Sequence, residues 1–415
     1  LPRHIKMRKS AVITIGNEIL LGKTLNTNLA FLAQELANLG LPVDYSVTVK
    51  DESEAIHQAL KQCWEKYDVV ITTGGLGPTT DDITKQEIAS FFGKKLVFNE
   101  EVWEQVQKIF AARNMPTPEI NRSQAMVPED FIALKNERGT APGLFYEEGK
   151  KSFFAFAGVP MEMRHIFLTQ AKPILEKKYG TQDKVIQKTI HTFGIAESAL
   201  AELLSDFQTP DKVNFAWLPQ PGRVDLRFYG TDAQAIEQAF NECYPKVKQY
   251  TWGFDDDTPV SILHHILREN KLYLSVAESC TGGLVQKMVT DLAGSSDVFL
   301  GGVVSYANDV KIKVLKVRPE TLSKYGAVSE ECAGEMVQGV KELTGSDLAI
   351  STTGIAGPDG ATLEKPVGMV CFGFSVLNKI WSETRIFNGD RELIRLQAAE
   401  FALLNLIRYL QGHKF

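Results

Sequence analysis

The sequence predicts a multi-domain α/β chain. Apolar runs of strand length alternate with segments of helical apolar spacing in both the first and the last third of the chain. A length of 415 residues exceeds what one ordinary hydrophobic core covers. The composition, 44% hydrophobic and 23% charged, belongs to globular rather than disordered chains.

From the N-terminal end, residues 11–15 read as a strand of branched side chains, 28–38 as a helix closed by Gly40, 43–49 as a strand, 54–66 as a helix and 68–73 as a buried strand. This βαβα order predicts a parallel sheet with helices on its faces. Residues 83–92 read as a helix, 151–157 as a strand and 161–178 as a helix. Beyond Tyr179-Gly180-Thr181 the signals shorten: a strand at 184–193, a helix at 197–205, strands at 213–218 and 223–229, and a helix at 232–244. These describe a small α+β module. The acidic run Asp255-Asp256-Asp257 with Thr258-Pro259 reads as a linker and opens a helix over 260–270, after which α/β alternation resumes. The expected domains are 1–172, 173–254 and 255–415.

Several classes are excluded. No stretch approaches the roughly 20 apolar residues of a membrane helix. The basic start does not read as a secretory signal, because Gly16, Asn17 and Glu18 interrupt residues 11–21. Met7 before Arg8-Lys9-Ser10 reads as a natural start, with residues 1–6 as an extension. Five cysteines without paired spacing point to a reducing, cytoplasmic setting and offer no structural zinc site. A net charge of −6 argues against a nucleic-acid backbone reader but leaves small anionic substrates open.

The sharpest motif is Ala277-Glu278-Ser279-Cys280-Thr281-Gly282-Gly283, between a strand at 272–276 and a helix at 284–292. Open α/β sheets hold their ligands at such strand ends, and Gly282 and Gly283 would leave N–H groups for a phosphate or an oxyanion. A capped tight turn is the plain structural alternative. A nucleophilic Ser needs a base. His264 and His265 lie in the preceding helix and His413 in the tail, so no Ser-His-Asp triad is indicated. Lys311, shortly after a strand at 303–306, could serve if burial keeps it neutral; taken alone it could equally be a solvated helix lysine. The strand 348–353 runs into Gly354-Ile355-Ala356-Gly357-Pro358-Asp359-Gly360, a possible anion-binding turn. Arg391 and Arg395, after Asn388-Gly389-Asp390, could pair with a phosphate.

Together with Ser305 to Lys311, Gly326-Ala327-Val328-Ser329 and Lys365-Pro366-Val367-Gly368, these motifs resemble the C-terminal, nicotinamide-nucleotide amidase domain of the CinA family. The resemblance implies hydrolysis of nicotinamide mononucleotide to nicotinate mononucleotide and ammonia. Ser279 or Thr281 would be the attacking hydroxyl, Lys311 the base, with Tyr306 and Arg391 or Arg395 assisting and no cofactor.

In the first third, Thr14-Ile15-Gly16-Asn17-Glu18 ends one strand and Gly74-Gly75-Leu76-Gly77-Pro78-Thr79-Thr80-Asp81-Asp82 follows another. A glycine-rich strand-to-helix turn is a general anion site, and carboxylates beside it imply either a helix cap or a bridging cation. With Asn121, Gln124-Ala125, Gly139 to Gly143 and Gly158 to Met163, this region resembles the molybdopterin-binding fold and, more closely, the CinA N-terminal domain. That implies metal-dependent hydrolysis of ADP-ribose to AMP and ribose 5-phosphate. Asp82 and Asp81 would be catalytic and would hold a divalent metal such as Mg2+. Asn17, Glu18, Asn28, Gly74, Gly75 and Gly77 would bind substrate. Molybdopterin binding is the rival reading. Residues 173–254 resemble the KH-like domain of CinA proteins, though without the GxxG of a nucleic-acid clamp. The family also implies a homodimer, and its name a competence- or DNA-damage-associated binding protein as the alternative to an enzyme.

Overall fold

A computed structural model describes residues 8–180 and 184–412. The expectation about residues 1–6 and the placement of His413 lie outside the described residues. The chain divides into two compact units, 1–186 and 187–415.

Strand β1 (Ser10–Ile15) is buried along its whole length, which requires cover on both faces of its sheet. Its side chains alternate between two cores. Ala11, Ile13 and Ile15 pack with Ile56, Leu60 and Cys63 of the helix Ser53–Lys66, and Val12 packs with Leu32 and Leu36 of the helix Thr27–Asn38. The other strands of this unit are β2 (Val43–Val49), β3 (Val69–Thr73), β4 (Leu96–Phe98), β5 (Met126–Pro128), β6 (Ile132–Leu134), β7 (Gly143–Glu148) and β8 (Lys151–Phe156). The main sheet runs β2-β1-β3-β8-β7-β6. Its first four strands are parallel, whereas β7 and β6 add antiparallel hairpin strands. The helical run from Pro160 to Tyr179 includes a π-turn at Phe167–Ala171 and carries Leu175 into the same core as Phe167. The first unit therefore continues past residue 172.

The second unit begins with the α+β module. Strands β9 (Ile186–Phe193), β10 (Asn214–Gln220), β11 (Arg223–Gly230) and β12 (Thr251–Phe254) form a sheet in the order β10-β11-β9-β12. The helices Glu197–Leu203 and Ala233–Val247 share its apolar core. Phe193 and Trp252 of this module belong to the same apolar cluster as Phe401 and Leu404 of the last helix, Arg391–Leu410. That shared cluster joins the module to the C-terminal sheet and its helices.

The final sheet contains β13 (Leu274–Glu278), β14 (Phe299–Val304), β15 (Leu348–Gly354), β16 (Met369–Val376) and β17 (Lys379–Ile386), ordered β14-β13-β15-β16-β17. Strands β14 and β15 both run parallel to β13, on opposite sides of it. The order of strands thus reverses at β13, and such a switch point opens a crevice beyond the carboxyl ends of the strands. The antiparallel hairpin β16–β17 replaces the simple α/β alternation expected here. Among the described residues no helix is long and apolar enough to cross a membrane.

Candidate active sites

Ser279 follows β13 directly and is 8% exposed. Its N–H donates to Thr352 O at 2.8 Å, and Ser305 N–H donates to Glu278 O at 2.7 Å, so the ladder holds the serine at the sheet's rim. The chain then turns through Gly282 and Gly283, whose φ of 62° and 95° are left-handed, into the helix Leu284–Thr290.

The sequence predicts that N–H groups of this turn are left for an anion. The structure corrects this. The fully buried Glu278 carboxylate accepts from Gly283 N at 2.9 Å, Val285 N at 3.1 Å and Gln286 N at 2.9 Å. Gly282 N–H donates to Ser279 O at 3.1 Å. The helix start already holds a carboxylate, the anion its dipole favours. Arg395 supports the same turn by donating to Thr281 O at 2.7 Å.

Lys311 lies in the helix Asn308–Leu315 with 1% of its surface exposed. Its Nζ stands 3.0 Å from Ser279 Oγ, 2.7 Å from Ser305 O and 3.4 Å from Tyr306 O. Burial pulls its pKa below the ordinary 10.5, only partly opposed by the thiols of Cys332 and Cys280. A neutral amine has two N–H donors and one lone pair. In that form its two N–H groups serve Ser305 O and Tyr306 O, and its lone pair is placed to accept from the Ser279 hydroxyl.

Ser279 and Lys311 open onto a cavity of about 260 Å³, lined also by Cys280, Tyr306, Asn308, Ala327, Val328, Thr353, the 354–360 loop and Arg391. Gly354 and Gly357 belong to this wall. Tyr306 and Arg391 meet at the rim, where Arg391 Nη2 donates to Tyr306 Oη at 2.9 Å and Nη1 to Gly357 O at 2.6 Å. Thr281 is fully buried, with its hydroxyl 2.7 Å from Thr352 Oγ1, and does not line the cavity. Gly282, Gly283 and Arg395 do not line the cavity either. Cys280 lines the cavity, but burial pushes its thiol up to about 12, which suppresses the thiolate. Asn308, Thr353 and Asp359 were not anticipated; the legible signal for Asn308 was its position one helical turn before Lys311.

In the first unit, the loops after β1, β2, β3 and β8 surround a cavity of about 390 Å³ lined by Gly74, Gly75, Gly77, Glu18, Asp51, Asp81, Asp82 and Glu162. Asp82 Oδ2 accepts from Thr79 N at 3.1 Å and Thr79 Oγ1 at 2.5 Å, so it closes its own loop while facing the cavity. Asp81 is exposed, and its carboxyl is held low by the Thr79 hydroxyl. Asp51 and Glu162 are additions to the expected set. Burial raises the Asp51 carboxyl, and the charges of Glu18 and Asp82 push the same way against the hydrogen bond from Asn17 N. Asn17 thus contributes its backbone, not a lining side chain. Asn28 donates to Thr73 Oγ1 and Gly158 O, both at 2.9 Å, and lines a smaller cavity of about 70 Å³ next to Glu18. Among the described residues no three His, Cys, Asp or Glu side chains converge as a finished metal cage. The oxygen-only donors and the mutual repulsion felt at Asp51 do suit a hard cation completed by substrate phosphates.

Three family matches partition the chain. Residues 11–177 match the family described as "Probable molybdopterin binding domain", 187–253 "Damage-inducible protein CinA KH domain" and 257–410 "CinA C-terminal domain". The "Putative competence-damage inducible protein" of Caldicellulosiruptor saccharolyticus is 39% identical over 96% of this chain and 98% of its own length. The "CinA-like protein" of Chloroherpeton thalassium is 41% identical over 96% and 98%. A crystal structure of the competence damage-inducible protein A from Klebsiella pneumoniae is 33% identical, covers 38% of this chain and 97% of that one, with a TM-score of 0.37.

Proposed function

The chain belongs to the CinA family of competence-damage inducible proteins, and we propose that its C-terminal region hydrolyses the carboxamide of nicotinamide mononucleotide. The observation that carries this reading is the buried Lys311 amine 3.0 Å from Ser279 Oγ at the mouth of a cavity. A module built only to bind a partner has no need of a desolvated base on a hydroxyl.

In the proposed mechanism neutral Lys311 takes the Ser279 proton as Oγ attacks the amide carbon. The resulting ammonium gives that proton to the departing nitrogen, the C–N bond breaks, and ammonia leaves a nicotinoyl ester on Ser279. Lys311 then deprotonates a water that attacks the ester carbonyl. The ester bond breaks, the proton returns to Ser279 Oγ, and nicotinate mononucleotide is released. The apolar part of the wall, Val328, Ile355 and Ala356, suits a pyridine ring, and Arg391 at the rim supplies positive charge for the phosphate. No cofactor enters this reaction.

The test is ammonia release from nicotinamide mononucleotide by the purified chain and by Ser279→Ala and Thr281→Val. Release that disappears in the first and persists within a few-fold in the second is the expected result. Equal activity in wild type and Ser279→Ala would remove the serine from the mechanism.

The acidic cavity of the first unit favours a second reaction, hydrolysis of ADP-ribose to AMP and ribose 5-phosphate with a divalent cation such as Mg2+. The cation would polarise the pyrophosphate and offset the charge of the surrounding carboxylates. Asp82 and Asp81 would hold it, with Asp51 as a further oxygen donor. The glycine loop 74–77 would lie along the phosphates. We further place the chain in the cytoplasm as a homodimer. The five cysteines are all free, as a reducing compartment keeps them.

A further inference from the structure

Two sequence motifs supply no reacting group to the chemistry above: Gly326-Ala327-Val328-Ser329 and Lys365-Pro366-Val367-Gly368. They meet in the structure. Lys365 Nζ donates to Tyr325 O at 2.6 Å and to Val328 O at 2.7 Å. Between those carbonyls, Ser329 Oγ donates to Gly326 O at 2.9 Å and Thr353 Oγ1 donates to Ala327 O at 2.7 Å. Four successive carbonyls thus each accept a side-chain hydrogen bond, and one ammonium supplies two of the four.

The segment so held forms one wall of the Ser279 cavity through Ala327 and Val328. The lysine's own loop is fastened to a second part of the wall, the 354–360 segment. Gly368 N–H donates to Ile355 O at 2.8 Å, and Ile355 N–H donates to Met369 O at 2.9 Å. Val367 packs so closely on Gly357 that a Cβ there would sit 2.7 Å from its Cγ1. Ile355 and Gly357 both line the cavity. Within the loop, Thr362 N–H donates to Lys365 O at 2.9 Å, and Lys365 N–H donates to Thr362 Oγ1 at 3.1 Å. Lys365 does not itself line the cavity, and among the described residues no carboxylate lies within ion-pair distance of it. Its charge goes to the two carbonyls.

We propose that Lys365 is a positioning residue that fixes the spacing between the 326–328 wall and the 354–360 wall, and so sets how tightly the ring-bearing end of the nucleotide is gripped. The inference rests on the amidase reading of the same cavity. Because the clamp touches neither Ser279 nor Lys311, its loss acts on binding more than on bond-breaking.

The experiment compares full-length Lys365→Met, Lys365→Arg and wild type in ammonia release from nicotinamide mononucleotide, with kcat and KM measured across pH. In parallel, calorimetry titrates the same nucleotide into Ser279→Ala and into Ser279→Ala with Lys365→Met. Removing two charge-assisted hydrogen bonds from a cavity wall should raise KM and weaken Kd about tenfold. The midpoint of the kcat–pH curve stays in place, kcat stays within about threefold of wild type, and arginine restores part of the KM. A KM and Kd within twofold of the parent forms would overturn the proposal, as would a fall in kcat at constant KM. If Lys365→Met does not fold, Lys365→Gln, which removes the charge and shortens the donor, replaces it: an unchanged KM and Kd there is equally fatal. Wild type that releases no ammonia fails the amidase reading instead, a result that cannot be confused with loss of the clamp.

Discussion

Replacing Lys311 with methionine separates what the buried amine costs from what it does. Methionine matches the lysine stem closely in volume, so the site stays filled, while the amine and its contacts to Ser279 Oγ, Ser305 O and Tyr306 O are lost. A positioned general base contributes about 10²–10⁴ in rate, or about 2.7–5.4 kcal/mol of barrier. Ammonia release should therefore fall by at least 100-fold. Stability should move differently with pH. The folded pKa of Lys311 lies below 10.5, so between that folded value and 10.5 the unfolded chain binds more protons than the native one. Wild-type stability gains from this residue as pH rises through that window, and loses as pH falls through the folded pKa. Below it, the native state must carry a charged amine that is 1% exposed. The variant should be the more stable form at pH 6, with its advantage shrinking toward pH 10, where the neutral amine's hydrogen bonds count at about 1 kcal/mol each. Thermal melts at steps across that range, beside the ammonia assay, read both effects. A variant that keeps wild-type activity, or a Tm difference that is flat with pH, would refute the assignment of Lys311 as a desolvated base.

Glu278→Gln should cost about 2–4 kcal/mol by denaturant melt, because the amide keeps one acceptor oxygen where the carboxylate serves three N–H groups at a helix start; a loss under 0.5 kcal/mol would show that the turn does not depend on its charge. In the first unit, Asp82→Asn should abolish Mg2+-dependent AMP formation from ADP-ribose by at least about 100-fold while Asp81→Asn retains more. Full activity in Asp82→Asn would shift attention to Asp51, which shares the cavity.

The parts of this molecule legible in the sequence were those with strong periodicity. Strand β1, with every residue buried, and helix Ser53–Lys66, with its apolar stripe, read correctly because burial on a parallel sheet leaves an uninterrupted branched run and a one-sided helix. The β16–β17 hairpin was missed because its turn at Leu377, with φ of 52°, lacks the Asn-Gly or Asp-Gly pair that marks a tight hairpin. Seating Ser279 at a strand end needed only local pattern. That Lys311 reaches it did not, because a helix lysine reads the same whether its chain extends into water or folds back under a neighbouring loop. The role of Glu278 was invisible for a related reason. Nothing in the local pattern tells where the carboxylate before a Ser-Cys-Thr-Gly-Gly turn points, and only the fold brings the helix N–H groups onto it. Asp51 escaped because it lies 31 positions from Asp82, by 82 − 51, and only the sheet brings their loops together.

The capped helix start also constrains how an anion can be held in the second unit. In many α/β sites a phosphate sits on the N–H groups that follow the switch-point strand. Here those groups already serve Glu278, and a second anion in the same place would meet its carboxylate. Arg395, the inner of the two candidate arginines, is turned to Thr281 O. Arg391 alone of the two reaches the cavity, and its contacts to Gly357 O and Tyr306 Oη use two of five N–H donors. On the proposed reading, a nucleotide with its carboxamide at Ser279 would run outward, with its phosphate at the rim beside Arg391 and Tyr306 and its ring against Val328, Ile355 and Ala356. That polarity follows from the buried carboxylate as much as from the arginine. On the proposed amidase reading, it explains how a site for an anionic substrate would keep a fully buried acid one residue from Ser279.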